Sequence, residues 1–169
     1  PMENDSIYSF TNPYTGQPLI KHWNFYVRCI KSAQRESNKR FHFLGGGVNG
    51  GKTYCCLITL LTIADMYPQC KIHVVRKSMP NLIRTTVESL RKMVGSAGTW
   101  NRSMNDFYYE LPNGSRICFF SENFNADKDL DRWKGFETNI IFLEQIEELQ
   151  DLSFQKAMER VGRWKIGNL

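Results

Sequence analysis

One stretch constrains this chain more than any other: Gly46 to Thr53, GGVNGGKT. It fits G-x-x-x-x-G-K-[ST], with Gly46, Gly51, Lys52 and Thr53 at the fixed positions. The apolar Phe41-His42-Phe43-Leu44 precedes it, and the long apolar run from Tyr54 to Met66 follows. That context predicts strand, glycine loop, helix. Glycines let successive backbone N–H groups turn inward around phosphates, and the helix behind them adds the positive end of its dipole. The expected phosphate contacts are Gly46, Gly47, Val48, Asn49, Gly50, Gly51, Lys52 and Thr53. Lys52 would reach the β- and γ-phosphates of a nucleotide, and the Thr53 hydroxyl would ligate Mg²⁺.

With 169 residues the chain is long enough for one domain with a real core. Its 41% apolar and 23% charged content reads as soluble and globular. The Tyr54–Met66 run is too short for a membrane span and contains Asp65, and the polar N-terminus shows no signal-peptide pattern. Pro1 before Met2 reads as a residue left by tag cleavage. The chain stops at Gly167-Asn168-Leu169 without a closing element, so the expectation is a piece of a longer protein. The five cysteines lack C-x-x-C spacing and read as reduced, mostly buried thiols. Charge is uneven: residues 71–102 carry seven Lys/Arg against one Asp/Glu, whereas residues 103–169 carry eight against twelve. The basic stretch is either a polyanion-facing surface or a solvated helix face.

Taken in order, residues 1–18 read as an arm or loop. Leu19, Trp23, Tyr26, Val27, Ile30 and Ala33 recur at helical spacing and predict a helix over 20–35. Arg40 to Gly45 is expected to be the first core strand, in a sheet covered on both faces. The Tyr54–Met66 helix is apolar nearly all round and should be buried. Lys71 to Val75 is the second strand. Ser78 is expected to cap a helix with Pro80 in its first turn and Ile83, Val87, Leu90 and Val94 on its inner stripe, widened by Leu82, Thr86 and Met93. Arg84, Arg91 and Lys92 face outward. Pro112-Asn113-Gly114-Ser115 between two β-rich runs predicts a hairpin. Residues 121–135 read as a polar loop and Asn139–Leu143 as a further strand. Asp151 is expected to cap a last helix, with Phe154, Ala157, Met158 and Val161 on one face. Strands alternating with helices predict an α/β fold, a mostly parallel central sheet with an inserted hairpin and helices on both faces.

Ile140-Ile141-Phe142-Leu143-Glu144 has the form of a Walker B strand, which ends in a carboxylate that holds hydrated Mg²⁺ opposite the loop threonine. In ATPases of the additional-strand (ASCE) type, the next residue is usually the Glu that polarises the attacking water. Here it is Gln145. An amide can orient a water but cannot accept its proton. Two explanations stand: a Glu-to-Gln exchange that traps bound ATP, or a natural departure with Glu147 or Glu148 supplying the base. The catalytic set expected is Lys52, Glu144, Gln145 and, from the resemblance below, Arg132. Mg²⁺ would be held by Thr53 and Glu144.

Over residues 41–163 the sequence resembles the large terminase subunit, the ATPase motor that packages DNA into tailed-bacteriophage heads. FLGGGVNGGKT resembles that family's first motif and HVVRKSMPNLIRTTVESL its second-strand segment. ELPNGSRICFFSENFNADKDLDRWKGFETNIIFLEQIEEL resembles its hairpin-to-Walker-B block, and AMERVGRW its Arg-bearing helix. The resemblance implies a P-loop ATPase that binds ATP and Mg²⁺. It implies a pentameric ring on the portal protein, driving double-stranded DNA into a capsid in the host cytoplasm, without being part of the mature virion. A small terminase subunit would bring the DNA, and the family's C-terminal nuclease is absent from residues 1–169. Val48 stands where many terminases carry Arg. Arg132, with Lys134 beside it, stands where some relatives carry a trans-acting arginine. Asn168 is a candidate for the end of the coupling motif, and Gln17 and Gln34 are candidates for an adenine contact. Arg76 and Lys77, at a strand's carboxyl end, would touch phosphate or a neighbouring subunit. Two other readings are a helicase-like DNA translocase and a nucleotide-gated binding module that does not hydrolyse ATP.

Overall fold

A computed structural model of the chain describes residues 10–12, 15–47, 50–103, 106–122 and 127–164. It divides into two compact units, Pro1–Leu61 and Thr62–Leu169, and the boundary falls inside one helix.

In the first unit, residues 10–12 and 15–19 are drawn together. Thr11 bridges Pro18, and the Leu19 N–H donates to Phe10 O at 2.7 Å. Helix α1 follows, Ile20–Ala33. Its buried residues are Phe25 and Cys29, so its inner line runs between the expected positions. Trp23, expected on that line, is exposed and stacks on Tyr26 at 5.6 Å, with Phe10 edge-on at 5.5 Å. The strand expected over 40–45 does not form. Its residues alternate between exposed and half-buried as a strand's would, but they belong to no ladder of the sheet. A strand needs a neighbour for its N–H and C=O groups, and the sheet is built from later residues. Helix α2, Lys52–Met66, follows the glycine loop. Its middle is buried on all sides, from Cys55 to Leu61, as its apolar composition requires.

The second unit holds a five-stranded sheet in the order β2-β3-β4-β1-β5. The strands are β1 Lys71–Arg76, β2 Thr99–Ser103, β3 Asp106–Glu110, β4 Arg116–Ser121 and β5 Ile140–Leu143. β1 pairs in parallel with both β4 and β5, while β2–β3 and β3–β4 are antiparallel. The sheet is therefore evenly mixed rather than mostly parallel. The expected hairpin is β3–β4. β2 was not expected, because Thr99-Trp100-Asn101-Arg102-Ser103 carries only one large apolar residue. Its state is set by its partner: Trp100 lies opposite Tyr109 and Arg102 opposite Phe107. Gly98 lets it start there, since at φ +66 a Cβ would fall 2.3 Å from Glu110 O.

The hairpin turn also ends α2. Asn113 Nδ2 donates to Ala64 O at 2.9 Å, and Ser115 Oγ to Ala64 O at 2.8 Å and Tyr67 O at 2.9 Å. These are carbonyls that a helix end leaves without partners.

One face of the sheet takes α3 (Met79–Leu82), a π-turn (Ile83–Val87) and α4 (Glu88–Val94), which run on as one helix. Ser78 stands at its N-cap position in extended geometry but makes no side-chain cap bond, and Pro80 sits in the first turn. The inner line is Leu82, Thr86, Val87 and Leu90, all 0% exposed, while Ile83 is turned partly out. The π-turn explains the shift. It adds a residue, so Leu82 and Val87 share a face five apart, and only the later half keeps the expected phase.

On the other face, Val75 and Phe120 pack with Leu130, Trp133 and Ala157, joined by Phe136, Ile141, Leu143 and Leu152. Residues 127–135 are thus more than a polar loop. A 3₁₀ turn at Asp131–Gly135 carries the fully buried Trp133. Helix α5, Asp151–Arg160, lies on this side. Of its expected inner face only Ala157 is buried, and Phe154, Met158 and Val161 are exposed. Asp151 is its first residue; Gln150 stands at the N-cap position without a side-chain cap bond, and Glu122, just past β4, ties this end of the helix down. The Gln150 N–H donates to Glu122 Oε1 at 2.6 Å, and the Ser153 hydroxyl donates to the same oxygen.

Candidate functional site

The glycine loop is exposed and held by its own backbone. Lys52 Nζ donates to Gly46 O at 2.8 Å and to Gly47 O at 2.6 Å, so the ammonium is folded into the loop it closes. Gly51 has φ +69, and a Cβ on Gly50 would lie 3.1 Å from Gly47 O. The glycines are therefore needed for the curve itself. Val48 and Asn49 lie outside the described residues, as does Asn168. Thr53 is half-buried in the first turn of α2. Two residues of α1, not singled out in the sequence, stand beside the loop. Lys21 Nζ lies 3.8 Å from the Cβ position of Gly46, and His22 Nε2 lies 3.8 Å from that of Gly51. His22 Nε2 is buried without a hydrogen-bond partner in the structure. Nothing in the sequence pattern flagged either residue, because helix α1 reads as a packing helix.

Gln17 is exposed in the loop before α1, and Gln34 stands at the C-cap of that helix. No side-chain bond of either one connects it to the glycine loop among the described residues.

In the second unit, the carboxyl ends of β1 and β5 carry a buried polar cluster. Glu144 follows β5 and is only 5% exposed; Arg76 ends β1 and is 9% exposed. Strand alternation puts both on the face covered by the π-turn, opposite to Val75 and Leu143. The Thr86 hydroxyl donates to Glu144 Oε2, and Arg76 Nη1 lies 4.0 Å from the same oxygen. Arg76 Nη1 also donates to Thr85 Oγ1 at 2.7 Å, and Thr85 donates on to Asn81 O at 2.8 Å. Arg76 Nη2 donates to Gln145 Oε1. Gln145 has φ +51, and this left-handed turn sends its chain into the 3₁₀ turn Ile146–Glu148. Burying one carboxylate here is sustainable because a guanidinium and a hydroxyl both meet it.

The expected site residues thus fall into two groups. Gly46, Gly47, Gly50, Gly51, Lys52 and Thr53 form the loop of the first unit. Glu144 and Gln145 stand together in the second unit, joined by Arg76, Thr85 and Thr86. Arg76, read from the sequence as facing phosphate or a neighbour, holds the two residues after β5. Thr86, read as part of an apolar stripe, is a hydrogen-bond donor. Arg132 is exposed, and its guanidinium lies 4.8 Å from the Phe120 ring of its own unit. Lys134 pairs with Asp131 at 2.6 Å. The outward basic face is partly occupied: Arg84 donates to Asn81 Oδ1 at 2.8 Å, and Arg91 pairs with Glu88 and lies 5.3 Å from Trp100.

All five cysteines are buried, and none forms a disulfide. Burial pushes the Cys70 and Cys118 thiols up to about 12, which keeps them out of thiolate chemistry. Among the described residues no three His, Cys, Asp or Glu side chains gather where they could hold a metal ion. None of their helices is long and apolar enough to cross a membrane.

No protein-family model matches the chain, and no curated protein matches it in sequence. Solved structures do match in fold. The chain is similar to the large terminase of a thermophilic bacteriophage, with a TM-score of 0.67 and 16% identity over 84% of this chain and 36% of that one. A structure of that terminase in complex with ADP matches with a TM-score of 0.55 and 17% identity, over 69% of this chain and 29% of that one. The chain therefore spans about a third of the length of the terminase it matches. At this identity the likeness is one of fold: a mixed α/β fold shared with a phage large terminase.

Proposed function

We propose that the chain is the ATP-binding motor domain of a DNA-packaging terminase, a P-loop ATPase of the additional-strand type. The observation that carries this reading is the glycine loop opening α2, with Lys52 folded into it, in a chain whose fold matches a terminase. Loop carbonyls are weak acceptors for an ammonium, and phosphate oxygens are stronger ones. Nucleotide phosphates would therefore draw Lys52 off Gly46 and Gly47. The reading assigns Mg²⁺ to the Thr53 hydroxyl and the Glu144 carboxylate, and this ion keeps several waters. Mg²⁺ would neutralise phosphate charge during transfer.

Gln145 bears on how far the chain goes beyond binding. Its amide oxygen is taken by Arg76, and it cannot accept a proton from water. This favours nucleotide binding without efficient hydrolysis in the chain as it stands. In the assembled motor the reading places double-stranded DNA, a portal protein, a small terminase subunit and a ring of five copies around this domain, in the host cytoplasm. Arg132 would then be offered to a neighbouring copy.

The test is calorimetry with Mg²⁺-ATP. Binding by the starting chain that is lost by more than 100-fold in Lys52→Ala supports the reading, since removing a charge-assisted contact to phosphate costs about 3 kcal/mol or more. Equal binding by the two chains would remove the loop from the site.

A further inference from the structure

A buried carboxylate is held in one rotation only if donors reach it from fixed directions. Glu144 receives two constraints on the same oxygen, Oε2: the Thr86 hydroxyl proton and the Arg76 guanidinium at 4.0 Å. Both threonines of the Thr85-Thr86 pair belong to this cluster, Thr85 on Arg76 and Thr86 on Glu144. Neighbouring residues on an α-helix diverge by about 100°, so a regular helix does not readily aim two in a row at one spot. Here the Ile83–Val87 segment is a π-turn, and the Thr85 hydroxyl bonds back to Asn81 O. The wider turn brings both hydroxyls to the ends of β1 and β5. Such single turns are frequent at functional sites.

We propose that Thr86 is a positioning residue for the Glu144 carboxylate, and that the π-turn is the device that delivers it. The role rests on the reading above, in which Glu144 serves the magnesium of a bound nucleotide. Thr86 does not touch that metal. By fixing Oε2 it sets which way the carboxylate is presented. Thr86→Val keeps the shape and the β-branch and replaces the hydroxyl with a methyl group that cannot donate. Thr86→Ser keeps the proton.

The experiment is calorimetry of ATP with Mn²⁺ and of ATP in EDTA, on the unaltered chain, Thr86→Val and Thr86→Ser, with a melting curve for each. Thr86→Val should bind Mn²⁺-ATP about tenfold more weakly, since one hydrogen bond to a charged group is lost. Its binding of ATP in EDTA should be unchanged, and Thr86→Ser should lie within about twofold of the unaltered chain. A purely structural threonine would weaken both titrations equally or neither, and either result overturns the role. If Thr86→Val melts below the working temperature, Thr86→Cys takes its place. The weak S–H donor should then give a smaller loss confined to the Mn²⁺ titration, and no metal-dependent loss overturns the role. An unaltered chain that binds no ATP under either condition sinks the proposed function and this role together. Binding by the unaltered chain with no effect at Thr86 sinks this role alone.

Discussion

The glycine loop and the Glu144 cluster solve opposite problems. Lys52 is half-buried and satisfied within six residues of chain, by carbonyls of its own loop. Glu144 is buried and satisfied by Arg76 and Thr86, which lie 68 and 58 residues away in sequence. The first site is made by backbone conformation and can exchange its partners for a ligand at little cost. The second is made by side chains that must all be present at once. Charge placed in a loop stays adaptable, whereas charge placed under a helix becomes part of the fold.

The sharpest way to break this contrast is at Arg76. Arg76→Ala should leave Glu144 buried without its cation and destabilise the second unit by about 3–5 kcal/mol, read from chemical denaturation. Lys52→Ala, which abolishes ligand binding in the proposed function, should leave the stability within about 0.5 kcal/mol of the starting chain. A large loss at Lys52, or none at Arg76, would show that the two sites do not differ as described.

The difference also decides what was legible in the sequence. A phosphate loop is a local pattern, so its glycines, Lys52 and the buried α2 could be read directly. β1, β3, β4 and β5 carried their own apolar runs, and the Asn113-Gly114 turn marked the hairpin. The cluster around Glu144 could not be read, because Arg76, Thr85 and Thr86 meet it only through strand pairing and a π-turn. Thr86 is also apolar enough in shape to pass for core. Two expectations failed for the same physical reason, that an element's state depends on its neighbour. Arg40–Gly45 had a strand's composition without a place in the sheet, and Thr99–Ser103 had a place in the sheet without the composition.

A smaller effect sharpens the burial side. His73 lies on β1, 6% exposed and stacked on Phe136 at 4.2 Å. Burial, and then the charge of Lys71, lower its pKa from 6.5 to about 3. The unfolded chain therefore takes a proton that the folded chain refuses. Stability from this residue is whole above pH 6.5 and falls as the pH drops toward about 3. Between about pH 7 and pH 4 the loss is on the order of 3 kcal/mol. His73→Leu should flatten that part of the acid limb, which a denaturation series in pH would record. An unchanged slope would mean that His73 is protonated within the fold.

A smaller stability effect than at Arg76 or His73 belongs to the loop backbone. Gly51→Ala forces an L side chain into φ +69, at a cost of about 1–2 kcal/mol. Its Mg²⁺-ATP affinity should fall by more than about tenfold, because the distortion falls on the backbone that would meet phosphate. Calorimetry and a melting curve on the same variant would separate the two effects. A loss of stability without a loss of affinity would contradict a backbone-made site.

The π-turn has a consequence for chain length. The π-turn puts Leu82 and Val87 on one face five residues apart, so losing one residue between them would return the segment to α-helical spacing with both still on that face. Removing a single residue from Ile83–Val87 should therefore be tolerated by Leu90 and the rest of α4. Where the residue removed is Thr85 or Thr86, the site would lose one of its two hydroxyls. Length variation at this point would keep the apolar packing and be felt in how the carboxylate at the end of β5 is held.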